Sequence, residues 1–185
     1  MFNFKKSALV IALASSAFIS QAFAADEGNG RIHFTGTVID APCSIAPNST
    51  DINVDMGQVA NKVLETGNKY SQNVQYSIDL QDCDLTEQTA GSVTYPAQSK
   101  VSVTFGGVSD ATSPALLANT GSAGGAGIRL IDTNGALLKV GDKGADVNLV
   151  TGPNQIVFAA RVEATGAPVT TGTIVSQATY ALNYK

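Results

Sequence analysis

The residues of this chain that could carry covalent or metal chemistry are two cysteines and one histidine. Cys43 and Cys83 are about 40 residues apart, and His33 precedes both of them. A cysteine nucleophile needs a base within hydrogen-bond reach, and His33 stands in a strand-like run that suits it poorly to that role. A single histidine also excludes a multi-histidine zinc site. A disulfide is therefore the favoured use of the two cysteines, with a free catalytic thiol as the alternative.

Other groups that serve catalysis or nucleotide binding do not form a recognisable site. No serine occurs in a G-x-S-x-G setting, and the glycine-rich run at residues 120–127 lacks the Gly-Lys-Ser/Thr of a phosphate-binding loop. The carboxylates stand singly in polar turns, where solvated side chains are the ordinary interpretation: Asp40, Asp82, Asp84, Asp110, Asp132, Asp142 and Asp146. We therefore predict no enzyme activity, no metal and no cofactor.

The first 24 residues are typical of a secretory signal peptide. Lys5 and Lys6 precede an apolar run from Ser7 to Ile19, and Ala22-Phe23-Ala24 is a small-x-small cleavage site. The apolar run is shorter than the ~20 residues of a transmembrane helix, which argues against an anchor. Export would place the cysteines in an oxidising compartment, where a Cys43–Cys83 disulfide is expected.

The composition favours an exported all-β domain. Only 14% of the residues are charged, glycine is abundant with 18 residues, and tryptophan is absent. The net charge of −4 argues against nucleic acid or an anionic membrane as a partner.

The last fourteen residues, 172–185, carry the clearest periodic pattern. Every second residue from Ile174 falls on one face, and this face holds Ile174, Ser176, Ala178, Tyr180, Leu182 and Tyr184. Period-two alternation without proline or interior glycine predicts a β-strand over the thirteen residues after Gly172. Such an apolar strand at a sheet edge would aggregate unless something covered it.

A second alternating stretch follows Ala25. Its apolar face holds Gly30, Ile32, Phe34, Gly36 and Val38, and we predict a strand here as well. Glycine weakens a strand, so Gly36 within the apolar face indicates a close approach to another surface.

The middle of the chain predicts the remaining strands of a β-sandwich with seven or so strands. We expect Asn134-Gly135 and residues 151–154 to be turns, and residues 108–127 to be a flexible connection. The predicted strands cover residues 74–80, 93–95, 101–105, 128–131, 136–140, 147–150 and 156–162.

Several of these features together resemble a known family. A Gly-x-Ile-x-Phe-x-Gly-x-Val opening precedes Ala-Pro-Cys-Ser-Ile, and a second cysteine follows about 40 residues later. Gly172 is fourteenth from the end and Tyr184 is second from last. The chain resembles a pilin of the chaperone–usher type, a subunit of type 1-like or P-like fimbriae. The resemblance is to a major subunit, although major and minor subunits share these end motifs.

The resemblance implies an all-β, incomplete immunoglobulin-like sandwich that lacks its last strand. A strand supplied in trans would complete it. Residues 25–38 would be the donor strand and residues 39–185 the sandwich domain. The donor residues Gly30, Ile32, Phe34, Gly36 and Val38 would fill five successive pockets of a neighbour, Gly36 the shallowest one. The receiving groove, which a chaperone would also contact, would be formed by Gly172, Ile174, Ala178, Tyr180, Leu182, Tyr184 and Lys185.

The resemblance also implies partners and a location. A periplasmic chaperone would deliver the subunit to an outer-membrane usher, and identical or related pilins would polymerise with it into a surface fimbrium that supports adhesion. A fimbrial tip adhesin or adaptor that itself binds a host surface receptor is the alternative.

Overall fold

The computed structural model describes residues 30–67 and 69–185. The predicted signal peptide, residues 1–24, lies outside these described residues. The chain divides into two units, residues 1–37 and residues 38–185.

The described part of the first unit, residues 30–37, forms neither helix nor strand. Ile32 is 79% exposed and Phe34 is 89% exposed. The strand predicted here is therefore absent from the isolated chain. An extended segment becomes a strand only when a neighbouring backbone takes its hydrogen bonds, and the alternation of residues 30–38 does not by itself supply one.

The second unit is built almost wholly from β-strands, with a short α-helix, α1 (Asn61–Glu65), and a 3-10 helix (Pro47–Ser49). Ten strands are present in its described residues, more than the seven or so predicted. They are β1 (Ser44–Ile45), β2 (Val74–Cys83), β3 (Gln88–Ala90), β4 (Val93–Tyr95), β5 (Lys100–Gly107), β6 (Ala126–Ile131), β7 (Leu137–Leu138), β8 (Val147–Asn148), β9 (Gly152–Ala164) and β10 (Ala178–Tyr184).

These strands form two main antiparallel sheets and a small hairpin. The larger sheet has the order β1-β2-β9-β6-β7, the second has the order β10-β5-β8, and β3 pairs with β4 alone. Alternate residues of the long strands face inward, as in Ile156, Phe158 and Ala160 of β9. They meet Val103 and Phe105 of β5 in one apolar core. Two sheets enclosing one core confirm the predicted immunoglobulin-like sandwich.

The predicted disulfide is present and joins two neighbouring strands. Cys43 directly precedes β1, Cys83 is the last residue of β2, and the two sulfur atoms are bonded. Ser44 pairs with Gln81 in the adjoining ladder. In the chain-entropy model, closing a loop of this length stabilises the fold by roughly 4 kcal/mol. Because the two sulfur atoms are bonded to each other, neither cysteine is a candidate for a catalytic thiol, and both are buried.

The turn predicted at residues 151–154 is wrong in its position. Gly152 pairs with Cys83 and Asn154 pairs with Leu80, so β9 already begins at Gly152. Gly152 and Asn154 instead lie at the start of β9. Gly152 has a φ of +91°, which favours glycine, and the Asn154 side chain bonds the backbone of Val150.

The prediction of a flexible connection over residues 108–127 is also wrong. Leu116 and Leu117 are buried, and Leu117 bridges to both Ser109 and Ile128. The glycines allow close packing against residues 167–173. A Cβ at Gly121 would collide with the carbonyl of Thr173, and a Cβ at Gly124 would lie 2.7 Å from Oγ1 of Thr170. Close approach of two backbones, rather than mobility, explains this glycine-rich sequence.

Among the described residues, no helix has the length and apolar character needed to cross a membrane. Within the same residues, no group of three or more His, Cys, Asp or Glu side chains is arranged to hold a metal ion.

Candidate functional site: an open apolar groove

The site begins with β10, the edge strand of the three-stranded sheet. On one side β10 pairs with β5 in an unbroken register from Ala178↔Gly107 to Tyr184↔Val101. No described strand pairs with its other side. A strand that ends a sheet in this way presents a row of unpaired backbone groups.

The edge extends beyond β10 toward residue 173. It is not the regular strand that the sequence predicted for all thirteen residues after Gly172, since β10 covers only Ala178–Tyr184. β10 begins only at Ala178, because its partner β5 ends at Gly107. Before that point the loop around Asn119 replaces a partner strand. The backbone N–H of Thr120 donates to the carbonyl of Val175 (2.8 Å), and the N–H of Val175 donates to Oδ1 of Asn119 (2.8 Å).

Along this edge, the backbone groups of the odd-numbered residues bond the neighbouring loop or β5, and those of the even-numbered residues do not. The carbonyls of Thr173 and Val175 accept from the neighbouring loop, and the N–H and carbonyl of Lys185 both bond Lys100 of β5. In an extended strand, successive residues direct their backbone groups to opposite sides. The even residues 174–184 therefore direct their N–H and carbonyl groups to the open side.

The opposite wall is the segment of residues 51–59. No backbone–backbone hydrogen bond joins these residues to another described residue. Ile52, Val54 and Met56 are half-buried, while the residues between them are exposed. This wall was not predicted from the sequence as part of the groove. The short alternation of these three apolar residues is the signal that could have revealed it.

Two adjoining cavities lie between the walls. The first, of about 780 Å³, is flanked by the continuous run of residues 174–180 and by residues 50–54. The second, of about 870 Å³, is flanked by residues 53–59 and 169–174. Both cavities are lined by Asn53, Val54, Met56 and Ile174, so they form one continuous groove.

The floor of the groove is the hydrophobic core itself. Phe105 lies at 5.1 Å from Phe158 and 6.4 Å from Tyr76, measured between ring centroids. The first cavity is lined by Tyr76 and Phe105 of this aromatic cluster together with Ile78, Leu117, Ile128 and Leu130. A cavity that reaches the core between two unpaired backbone edges has the character expected of a missing strand.

The predicted groove residues are only partly brought together. Ile174, Ala178 and Tyr180 line the first cavity, and Gly172 lines the second. Leu182 and Tyr184 line neither and pack against the core further along β10. Lys185 lies beyond them with its side chain 51% exposed.

Two polar atoms of the even-numbered face are buried without a hydrogen-bond partner among the described residues, Oγ of Ser176 and the hydroxyl of Tyr184. Burial, and secondarily the charge of Tyr180, raises the pKa of Tyr184 to about 12. Burial also raises the pKa of Tyr180, whose hydroxyl donates to the carbonyl of Ser49.

A lysine-rich cluster lies where β10 ends. Nζ of Lys185 bonds Oδ2 of Asp146 at 2.8 Å. Hydrogen bonding to Lys185 lowers the pKa of the Asp146 carboxyl, and the charges of Lys143 and Lys100 lower it further. Three lysines thus surround one carboxylate, which leaves the cluster of Lys100, Lys143, Asp146 and Lys185 with excess positive side-chain charge.

The predicted donor residues belong to the part of the chain around residues 30–38, where all side chains are exposed. A Cβ built at Gly30 or Gly36 would meet no atom within 4 Å. Space within this chain therefore does not require glycine at either position, so a requirement for glycine must come from outside the chain.

Comparisons with known proteins give the family. The model of the fimbrial protein family matches residues 32–185. The chain is 39% identical over 168 residues to the fimbria A protein of Serratia marcescens, covering 90% of each chain. The family match takes in the groove and the apolar opening from Ile32 onward.

Two solved structures are similar to this chain. A chain from the structure of a chaperone–usher pilus is 29% identical, with a TM-score of 0.71, and the match covers 86% of this chain and 97% of that one. The P pilus rod subunit PapA is 27% identical, with a TM-score of 0.65, covering 78% of this chain and all of that one. The chain therefore belongs to the fimbrial protein family and is a subunit of a chaperone–usher fimbrium, exported through the periplasm to the cell surface.

Proposed function

We propose that this chain is a structural, non-enzymatic fimbrial subunit that polymerises by donor-strand exchange. Residues 25–38 of one subunit enter the groove of the next, and residues 39–185 form the receiving sandwich. The observation that carries the proposal is the open groove, because one unpaired backbone edge flanks it on each side and core residues form its floor.

The parity of the two segments supports this assignment. The side chains of the even residues of β10 point toward the core. Their backbone N–H and carbonyl groups point toward the open side of the groove. An antiparallel strand beside β10 hydrogen-bonds to those residues only if its own inward-facing residues stand directly opposite them. In the donor segment, Ile32, Phe34 and Val38 form such an inward-facing set, all of one parity.

The apolar residues supply the driving force for assembly. Ile32, Phe34 and Val38 are 79%, 89% and 100% exposed in this chain. Burying the three side chains in the groove is worth roughly 5–9 kcal/mol before ordering costs. Backbone bonds to β10 would add affinity and fix the direction of the strand. No cofactor or nucleotide is needed for such a step.

The same open edge explains the proposed need for a chaperone. An uncovered apolar edge pairs with whatever strand it meets, so a periplasmic chaperone would cover residues 172–185 until an outer-membrane usher brings the next subunit. The fibre would then support adhesion as a scaffold. No feature of the described residues favours the tip-adhesin or adaptor alternative, in which this chain itself would bind a receptor.

A matched pair of substitutions tests the proposed function. Phe34→Asp places a charge on the inward face of the donor, and Thr35→Asp places the same charge on its outward face. Surface material from cells producing Thr35→Asp should run as a ladder of multimers on an unboiled gel, and Phe34→Asp should not. Equal ladders from both variants would contradict donor-strand exchange.

A further inference from the structure

We infer that Asn119 is a positioning residue for strand capture. Through its bond to Val175 it fixes the peptide unit that carries the Ile174 carbonyl, and this carbonyl is an acceptor that an incoming strand can use. The inference rests on the proposed function and deepens it, because it assigns the alignment of the groove edge beyond β10 to a side chain that lines neither cavity.

The odd-numbered residues of the edge before β10 are held by the loop of residues 119–123 in two different ways. The carbonyl of Thr173 accepts from the backbone N–H of Ala123 at 3.0 Å. The carbonyl of Val175 accepts from the backbone N–H of Thr120 at 2.8 Å. The N–H of Val175, in contrast, donates to a side-chain atom, Oδ1 of Asn119, at 2.8 Å. A substitution at Asn119 can therefore remove this one bond while the backbone bonds remain.

The bond between Asn119 and Val175 orients a backbone group on the other side of the edge. The N–H of Val175 and the carbonyl of Ile174 belong to one planar peptide unit and point in opposite directions. Because the N–H is directed at Asn119, the Ile174 carbonyl is directed toward the open side of the groove. No backbone N–H among the described residues donates to this carbonyl, so it is available to a strand that enters the groove.

The Asn119 side chain uses both ends of its amide group. Besides the bond from Val175, Oδ1 accepts from the N–H of Gly121 at 2.9 Å, and Nδ2 donates to the carbonyl of Ala123 at 2.8 Å. The one side chain therefore closes its own loop and binds the groove edge. An aspartate at this position would keep both acceptor bonds of Oδ1 but would have no N–H to donate to Ala123.

The loop that carries Asn119 is anchored to the larger sheet. Leu117 is buried and exchanges two backbone hydrogen bonds, of 2.8 and 3.0 Å, with Ile128 of β6. β10 belongs to the other sheet. Asn119 thus connects the open edge of one sheet to a strand of the other, and its support does not depend on the edge that it holds.

Fibre dissociation tests the inference with three variants. Fibres are purified from cells that produce Asn119→Ala, Asn119→Asp or Asn134→Ala, and the half-life of their multimer ladders in hot detergent is compared with that of the wild type. Asn134→Ala is the matched control. Its Oδ1 also accepts a loop N–H, that of Ala136, but Asn134 lines neither cavity.

We expect Asn119→Ala to shorten the half-life about three- to tenfold, which corresponds to weakening one hydrogen bond of the captured strand. Asn119→Asp should stay within about twofold of the wild type, because its carboxylate still accepts the N–H of Val175. Asn134→Ala should behave like the wild type. A role confined to the stability of the loop predicts equal losses for both Asn119 variants, since both lose the bond to Ala123. Equal losses, or a wild-type half-life for Asn119→Ala, would overturn the inference.

Hydrogen exchange in the assembled fibres gives a second measurement. The amide of Val175 should exchange faster in Asn119→Ala than in Asn119→Asp, and equal rates would overturn the inference. If Asn119→Ala forms no fibres, Asn119→Gln decides in its place, because it retains the amide but moves it one methylene away from its present position. A wild-type half-life for that variant would likewise overturn the inference. Failure of the proposed function would appear separately, as equal ladders from Phe34→Asp and Thr35→Asp.

Discussion

The hydroxyl of Tyr180 on β10 donates a 2.8 Å hydrogen bond to the backbone carbonyl of Ser49 in the 3-10 helix. Oγ of Ser49 in turn accepts from the backbone N–H of Asp79 on β2. The open edge strand is thus tied to the larger sheet at one end of the groove. This link lies beside the first cavity, whose lining includes Thr50 and Tyr180.

Tyr180→Phe should therefore destabilise the subunit by about 1 kcal/mol, because it removes this bond and leaves the carbonyl of Ser49 without it. Tyr184→Phe is the matched control, since the Tyr184 hydroxyl has no partner among the described residues. That change should be neutral or slightly stabilising. Urea unfolding of the two purified variants checks the prediction, and equal losses would show that the bond to Ser49 contributes nothing.

Stability should also fall at alkaline pH through Tyr184. Its folded-state pKa of about 12 exceeds the ordinary tyrosine value of 10.0, so the folded chain retains a proton that the unfolded chain releases. The resulting stabilisation is complete below pH 10 and is lost as the pH rises toward 12. Unfolding at pH 9, 10 and 11 should show a shallower decline for Tyr184→Phe than for the wild type. Parallel declines would contradict the burial of this hydroxyl.

Gly172→Ala should destabilise the sandwich by roughly 1–3 kcal/mol through overpacking. A Cβ at Gly172 would lie 2.5 Å from the backbone nitrogen of Ala123, and backbone cannot swing aside as a side chain can. Gly30→Ala is the control, because a Cβ there meets nothing within 4 Å. Thermal melts of both variants provide the measurement. A Gly172→Ala protein as stable as Gly30→Ala would refute the close approach.

Gly36→Asn should abolish fibre formation without destabilising the subunit. The side chain would have open space within its own chain and would clash only inside the groove of a neighbour. Thr37→Asn introduces the same side chain on the outward face. Melting temperature and the unboiled ladder distinguish the two effects. Normal ladders from Gly36→Asn would rule out the shallow pocket.

The sequence predicted the fold class and the disulfide well because both depend on local, repeated signals. The alternation in residues 74–80 and 156–162 matched β2 and β9, and two cysteines with an export signal left one natural pairing. The strand bounds were less predictable. Gly152 and Asn154 are turn-forming residues by type, yet they pair with β2 because the tertiary ladder satisfies their backbone groups.

The groove was predictable in part only. The inward face of β10 followed from period-two alternation, but the opposite wall at Ile52, Val54 and Met56 required knowledge of which segments meet in space. The role of Asn119 was also hidden, since its side chain substitutes for a partner strand beside Val175. Side chains that replace backbone bonds leave no periodic signal in a sequence.

The most direct test of the central claim is to fill the groove from within one chain. A copy of residues 25–40 placed after Lys185 through a flexible linker, long enough for it to turn back, should pair antiparallel with β10. The product should be a monomer with a sharply raised melting temperature and no capacity to form fibres. The same tethered protein with Phe34→Asp in the added copy is the control and should melt like the untethered subunit. A tethered protein that melts no higher than the untethered one would contradict the missing-strand account.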